Sequence, residues 1–317
     1  MAISIFPILP DFAAEIGDVD LAKPLSPEDR EAIKAAFWKY GVLVFPAQEM
    51  TQEQHIAFAQ VFGPMEQSIN TYQDEIRKDR IDNRISDVSN LDHDNEILAA
   101  NSRKRMSGLA NRLWHTDSIF RHVPARASLL YARTVAPIGG NTQFADMRAA
   151  WDALPQATKD RISDLVVEHS IFHSRAKLGF TDFSERERAS LPPAIQVLVR
   201  TLPETGRRSL YTASHAIRIM GIPQAESAQL LEELMAHATQ RQFVYTHRWR
   251  LHDLVMWDNR CTMHRGTDYD ERRWKRDLHR ATVSDIGNTC EPACGIEQTP
   301  APGAPIVTWD PQQEHAK

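Results

Sequence analysis

From Ala127 to Ser284 the chain is a succession of short apolar runs, each cut off by turn residues. Residues 127–135, 142–145, 166–171, 196–200, 208–212, 243–249, 253–257 and 281–284 read as strands. Pro137-Ile-Gly-Gly140 separates the first two. Helical patterns at 148–154, 156–165 and 225–238 interrupt the series. Many short strands with regular turn signals cannot bury themselves as a single flat sheet. They predict a mainly β protein with flanking helices, built on a double-stranded β-helix: a jelly roll of the cupin-like kind.

The first sixty residues carry the clearest local signals. Residues 27–39 form an amphipathic helical pattern, with Ser26 as N-cap and Pro27 at the first helical position. Gly41-Val-Leu-Val-Phe45 reads as a buried strand stopped by Pro46. Thr51-Gln-Glu-Gln54 is a capping box opening a helix that runs to about Phe62, before Gly63-Pro64. From Gln67 to Ala110 periodicity dissolves into Asn, Asp and Ser, and a stretch this long in a compact domain is expected to be a lid. The expected organisation is one domain over 1–286 with a lid at about 67–110. The segment 287–317, rich in Pro, Gln and Thr, reads as a loose tail.

With 317 residues and 42% apolar content, the chain can bury a large core. A net charge of -5 offers no basic field for nucleic acid. Cys261, Cys290 and Cys294 are too few for a disulfide framework, and a reducing cytoplasm is expected. The start Met-Ala-Ile-Ser-Ile-Phe-Pro lacks the basic region of a signal peptide, and no apolar run reaches membrane-spanning length. A homo-oligomer without nucleic-acid or membrane partners is the expected state.

His115-Thr-Asp117 places an imidazole and a carboxylate two residues apart, on one side of an extended segment. Far downstream, the apolar run Val255-Met-Trp257 leads into the polar turn Asp258-Asn259-Arg260 and then His264. Two His and one carboxylate on one face of an ion form the facial triad of non-haem iron oxygenases, which leaves the opposite positions open. With 13 His in the chain, roughly one His-x-Asp pair is expected by chance, so a core histidine bonded to a carboxylate is the competing reading. Arg276 and Arg280 lie four apart at the start of the last strand run. A guanidinium binds carboxylates through a planar fork, so a dicarboxylate would find an anchor there. Arg272 and Arg273 are close competitors, and a solvated basic run is the bland alternative. Thr142, after Gly139-Gly140-Asn141, offers a hydroxyl donor.

Taken together, these residues resemble the taurine dioxygenase family of Fe(II)/2-oxoglutarate oxygenases, and within it the 2,4-dichlorophenoxyacetate/2-oxoglutarate dioxygenases. The resemblance runs to about Asp285. It includes Gly41-Val-Leu-Val-Phe45, Gln54-His-Ile-Ala-Phe-Ala59, Phe62-Gly-Pro64 and Leu113-Trp-His-Thr-Asp117-Ser118. It continues through Asp146-Met-Arg-Ala-Ala150, Glu233-Leu-Met-Ala-His-Ala-Thr-Gln-Arg241 and Asp253-Leu-Val-Met-Trp-Asp-Asn-Arg260. It implies that His115, Asp117 and His264 ligate Fe(2+), and that Thr142 and Arg276 hold the distal carboxylate of 2-oxoglutarate. Arg280 would hold the substrate anion or assist the co-substrate. Asn111 and His215 would stand on the substrate side.

The implied reaction consumes O2 and 2-oxoglutarate and releases succinate and CO2. It hydroxylates a small anionic substrate, expected to be an aryloxyalkanoate whose ether bond then breaks. The sequence departs from the phenoxyacetate enzymes at Arg218, where they show a His, and in the 67–110 segment. The stretch between His264 and Arg276 is one residue longer than usual. Three alternatives stay open: an alkyl sulfonate oxygenase, a zinc hydrolase with the same donor set, and a non-catalytic jelly-roll binding protein. Ile69, Ile119 and Phe120 read either as an apolar lining that would suit an aromatic substrate or as ordinary core.

Overall fold

The structure is a computed structural model that describes residues 3–66 and 80–291. Its first elements are strands β1 (Ser4–Pro7) and β2 (Ala14–Gly17), helix α1 (Pro27–Tyr40), strand β3 (Val42–Phe45) and helix α2 (Gln52–Gln60). The local chemistry acts as the sequence predicts. Ser26 Oγ accepts from Asp29 N at 3.0 Å, and Thr51 and Gln54 cap each other's backbone N–H groups. Gly41 ends α1 at φ 69°, a left-handed position that suits glycine.

Strand β4 (Ile85–Ser89) and helix α3 (Arg103–Gly108) lie inside the segment read as a lid. Residues 67–79 of that segment, Ile69 included, lie outside the described residues. There follow β5 (Ala125–Thr134), β6 (Thr142–Asp146), α4 (Met147–Asp152), α5 (Gln156–Ile162), β7 (Val166–His169), α6 (Ile171–Ala176) and α7 (Glu185–Ser190). The run expected at 196–200 is split into β8 (Ala194–Val197) and β9 (Val199–Thr201). The chain then forms β10 (Arg208–Leu210), β11 (Ala216–Ile219), α8 (Gln224–Ala238), β12 (Val244–His247), β13 (Leu254–Asp258), β14 (Thr262–Gly266) and β15 (Asp277–Ser284).

Among the described residues, seven strands form one sheet in the order β1-β2-β3-β13-β5-β15-β4. A three-stranded sheet, β12-β6-β14, faces it, and this pair of sheets is the jelly-roll sandwich. Strand alternation divides the side chains into three layers. Val42, Val44, Leu130, Val255, Trp257 and Leu278 point inward and meet Phe144 of β6 between the sheets. Their neighbours Leu43, Phe45, Leu129, Leu254, Met256 and Ala281 point outward and are covered by Ile33 and Phe37 of α1 and Phe58 of α2. Ala145 and Met263, on the outer face of the small sheet, pack with Trp151 of α4 and Leu230 and Leu234 of α8. Strands β3 and β13 are buried on both faces, which is why they read as unbroken apolar runs.

The polar turn expected at 258–260 is confined to 259–261, with Asp258 still on β13, and His264 lies on a further strand, β14, paired in register with Phe144. Of the two readings of Ile119 and Phe120, the core one holds: Ile119 packs with Tyr211 and Ala213, and Phe120 lies 5.0 Å from the His215 ring. The tail begins as packed chain, since Asn288 donates to His122 O and Ile195 O and Cys290 is buried; residues 292–317 lie outside the described residues.

Candidate active site

His115 and His264 are joined before any ligand is considered. His115 N–H donates to His264 O at 2.9 Å and His264 N–H donates to His115 O at 2.7 Å. This antiparallel bridge brings the two rings to 4.1 Å between centroids. After His115 the chain leaves the extended conformation for a turn over 117–120, with Ser118 at φ 53°. Asp117 Oδ1 lies 3.9 Å from His115 Nε2, and its Oδ2 lies 3.6 Å from His264 Nε2. One donor atom from each residue lies within 4.8 Å of the other two.

The surroundings prepare these three groups as ligands. His115 Nδ1 lies 2.8 Å from Leu113 O, so it must carry the proton and donate, which leaves the Nε2 lone pair for an ion. Burial pushes the His115 imidazole below its usual range and His264 well below it, so both rings stay neutral. Burial alone would raise the Asp117 pKa, but the charge of Arg280, the adjoining imidazole dipoles and the Ser128 hydrogen bond outweigh it and bring the value down to about 2. A relay fixes the carboxylate: Trp257 Nε1 donates to Asn259 Oδ1 at 3.0 Å, Asn259 Nδ2 to Ser128 Oγ at 2.9 Å, and Ser128 Oγ to Asp117 Oδ2 at 2.7 Å. Arg280 Nη1 donates to the other oxygen, Oδ1.

His115 and His264 face a cleft of about 160 Å³, and Asn111, Thr142, Arg276 and Arg280 line it with them. Burial lowers the Arg276 pKa to about 10, still charged at neutral pH, and no carboxylate lies within ion-pair distance of it among the described residues. Its competitors do not reach the cleft: Arg272 and Arg273 are exposed, and Arg273 lies over the Trp274 ring. Trp249 Nε1 donates to Thr142 Oγ1 at 3.0 Å, which leaves the Thr142 proton available to an anion. Gly139 makes the neighbouring turn possible, because it sits at φ 75° and a Cβ there would lie 2.4 Å from Asp268 O. His215 lies behind His115, with its ring centroid 6.1 Å away, and is not part of the cleft wall. Arg218, the residue that departs from the phenoxyacetate pattern, is exposed at the sheet edge and paired with Glu168 at 2.8 Å.

Comparison with known proteins agrees with this geometry. The family described as taurine catabolism dioxygenase TauD, TfdA family, matches residues 4–282. The chain belongs to this dioxygenase family. It is 43% identical to the alpha-ketoglutarate-dependent 2,4-dichlorophenoxyacetate dioxygenase of Cupriavidus pinatubonensis, over 90% of this chain and 99% of that one. It is 38% identical to the (S)-phenoxypropionate/alpha-ketoglutarate-dioxygenase of Sphingobium herbicidovorans, over 90% of this chain and 96% of that one. The crystal structure of AAD-2 in complex with Mn(II) and N-oxalylglycine superposes with a TM-score of 0.84 at 46% identity, covering 94% of this chain and all of that one.

As a TauD/TfdA dioxygenase the protein works with Fe(II), 2-oxoglutarate and O2. Its residues suit them. Two neutral imidazoles and one carboxylate can cap one side of an ion, and the other side faces the cleft. Family membership, rather than the donor set, decides against a zinc hydrolase. Several cleft residues carried no sequence signal: Asp87, Ser89 and Asn90 on or after β4, and Tyr269 and Glu271 in the loop before β15. Ser128, behind Asp117, was equally silent, and Asn259 was read only as part of a polar turn. Among the described residues, no helix is long and apolar enough to cross a membrane.

Proposed function

We propose that the protein hydroxylates a small aryloxyalkanoate at the carbon next to its ether oxygen. The observation that carries this reading is that the cleft faced by His115 and His264 of the ligand cluster also holds Arg276 and Arg280, while the other arginines lining it, Arg105 and Arg112, are paired with Glu271. One cation answers to the distal carboxylate of 2-oxoglutarate and the other to the substrate anion. Ferrous iron with 2-oxoglutarate and O2 supplies the oxidation, in which one oxygen atom enters the substrate and the other leaves in succinate, with CO2 released.

The chain's own residues bind and orient. Arg276 and Thr142 hold the 2-oxoglutarate 5-carboxylate. Arg280 holds the substrate carboxylate beside Asp117, so the α-carbon faces the cluster, and orientation of this kind lowers the barrier. The hydroxylated ether carbon is a hemiacetal, which collapses to a phenol and an oxo acid without further help. Asp87, Ser89, Lys104 and Arg105 line the same cleft, which supports the reading of the 67–110 segment as a cover for the site.

The test is succinate formation from 2-oxoglutarate with phenoxyacetate, phenoxypropionate, cinnamate and taurine. The expected result is succinate and phenol in equal amounts with phenoxyacetate, and loss of both in His115→Ala. Strong stimulation by taurine with none by the aryloxyalkanoates would replace this substrate class with alkyl sulfonates.

A further inference from the structure

Arg175 on α6 stands out among the inner arginines. Arg148, Arg200 and Arg260 are each paired with a carboxylate, Asp146, Asp285 and Asp258 respectively. Arg175 has none within ion-pair distance among the described residues. Its Nη1 donates to Ser174 Oγ at 3.0 Å and lies 3.5 Å from His215 Nε2. Its Nε is sealed from solvent without a hydrogen-bond partner. The side chain is not far from the chemistry: Ser214 N–H donates to Trp114 O at 2.9 Å, and this bond ties the His215 segment to the His115 segment.

The orphaned polar atoms in this part of the molecule include more than one. Ser214 Oγ, His215 Nδ1 and Arg280 Nε are also buried without partners. Native interiors rarely leave such groups unsatisfied, and a set of them grouped around His115 and Asp117 marks a place where a ligand can supply the missing bonds. Burial and the nearby charge of Arg280 both depress the Arg175 pKa, to about 10, while Asp117 opposes them. Two guanidiniums therefore share the field of one carboxylate. Once Asp117 is committed to a divalent ion, neither guanidinium retains a counter-charge.

We propose that Arg175 is a second arm of the substrate-anion site, binding with Arg280 the acidic group of the primary substrate beyond His115 at the His215 side. This rests on the reading that Arg280 faces the primary substrate. Arg175 is then a specificity-determining residue: it discriminates an acid from its neutral amide while leaving the co-substrate untouched.

The experiment is calorimetric titration of protein loaded with Mn(II) and N-oxalylglycine, using phenoxyacetate, phenoxyacetamide and taurine as ligands. Arg175→Met should raise the Kd for phenoxyacetate about 30-fold or more, as expected when one partner of a desolvated charge pair is removed. The amide should change less than about threefold, and Arg175→Lys should fall between Met and wild type. The melting temperature of the unloaded variant should equal or exceed wild type, because an unpaired inner charge has been removed. Equal losses for acid and amide, no loss for either, or a lowered melting temperature accompanying the affinity loss would overturn the role. If loaded wild type prefers taurine, the aryloxyalkanoate reading falls and the same ratio, taken for taurine, decides Arg175. If it binds no anion at all, both readings fall.

Discussion

Arg276→Met tests the co-substrate site most directly. The guanidinium is buried in the cleft, stands beside Thr142, and has no protein carboxylate within ion-pair distance among the described residues. Losing one partner of a buried charge pair costs about 2–5 kcal/mol, and a middle value of about 3 kcal/mol corresponds to a Kd raised about 150-fold. With Mn(II) present and N-oxalylglycine at about 1,000 times its wild-type Kd, the native state gains about 4.1 kcal/mol. The same concentration is only about 7 times the variant's Kd, and the gain drops to about 1.2 kcal/mol. At roughly 2 °C per kcal/mol for a chain of this size, the ligand raises the wild-type melting temperature by about 8 °C and the variant's by about 2–3 °C. Without ligand, the variant should melt no lower than wild type. Differential scanning fluorimetry reads both quantities. A ligand-induced rise in Arg276→Met within about 1 °C of wild type would refute the assignment, most directly if Arg272→Met or Arg273→Met lost it instead.

Three further outcomes follow from the same structure. Ser128→Ala removes a hydrogen bond to Asp117 and strands Asn259 Nδ2, so Mn(II) affinity should fall about 10–100-fold by calorimetry; unchanged affinity would make the relay purely structural. Burial lowers the pKa of His55 to about 4 and of His169 to about 3, so the unfolded chain takes up protons first as pH drops below about 6.5. Stability present above that pH is lost toward pH 4 at about 1.4 kcal/mol per unit for each group, and His169→Gln should flatten the pH dependence of the melting temperature. Gly139→Ala forces a Cβ against Asp268 O at a positive φ, so it should destabilise by about 1–3 kcal/mol and weaken N-oxalylglycine binding by shifting the loop that carries Tyr269; normal binding and melting would show that the turn relaxes freely.

What the sequence disclosed depended on how local each signal was. Helices α1 and α2 were legible because Ser26, Pro27, Thr51 and Gln54 act within one turn of themselves. Strands β3 and β13 were legible because burial on both faces makes them continuous apolar runs. Strand β4 was not: Ser86, Asp87 and Ser89 are polar, with Asp87 and Ser89 held by Arg80 and Lys104, so the alternation of a strand is missing and it reads as loop. Strand β14 was hidden for a similar reason, since Thr262, His264 and Arg265 are polar residues held by a neighbouring strand. The ligand cluster could be read from residue type and spacing. Its support could not, because Ser128, Asn259 and Arg175 meet Asp117 or its neighbours only through the folded backbone.

The reciprocal backbone bonds between His115 and His264 carry a last consequence. In a zinc finger the ion gathers scattered ligands and drives folding; here two peptide N–H groups have already done the gathering. Chelation should therefore silence the enzyme while the polypeptide keeps its shape, and re-addition of iron should restore it without a refolding step. In a cell short of iron, such a protein would accumulate as a finished, idle scaffold, and its output would follow metal supply rather than its own synthesis.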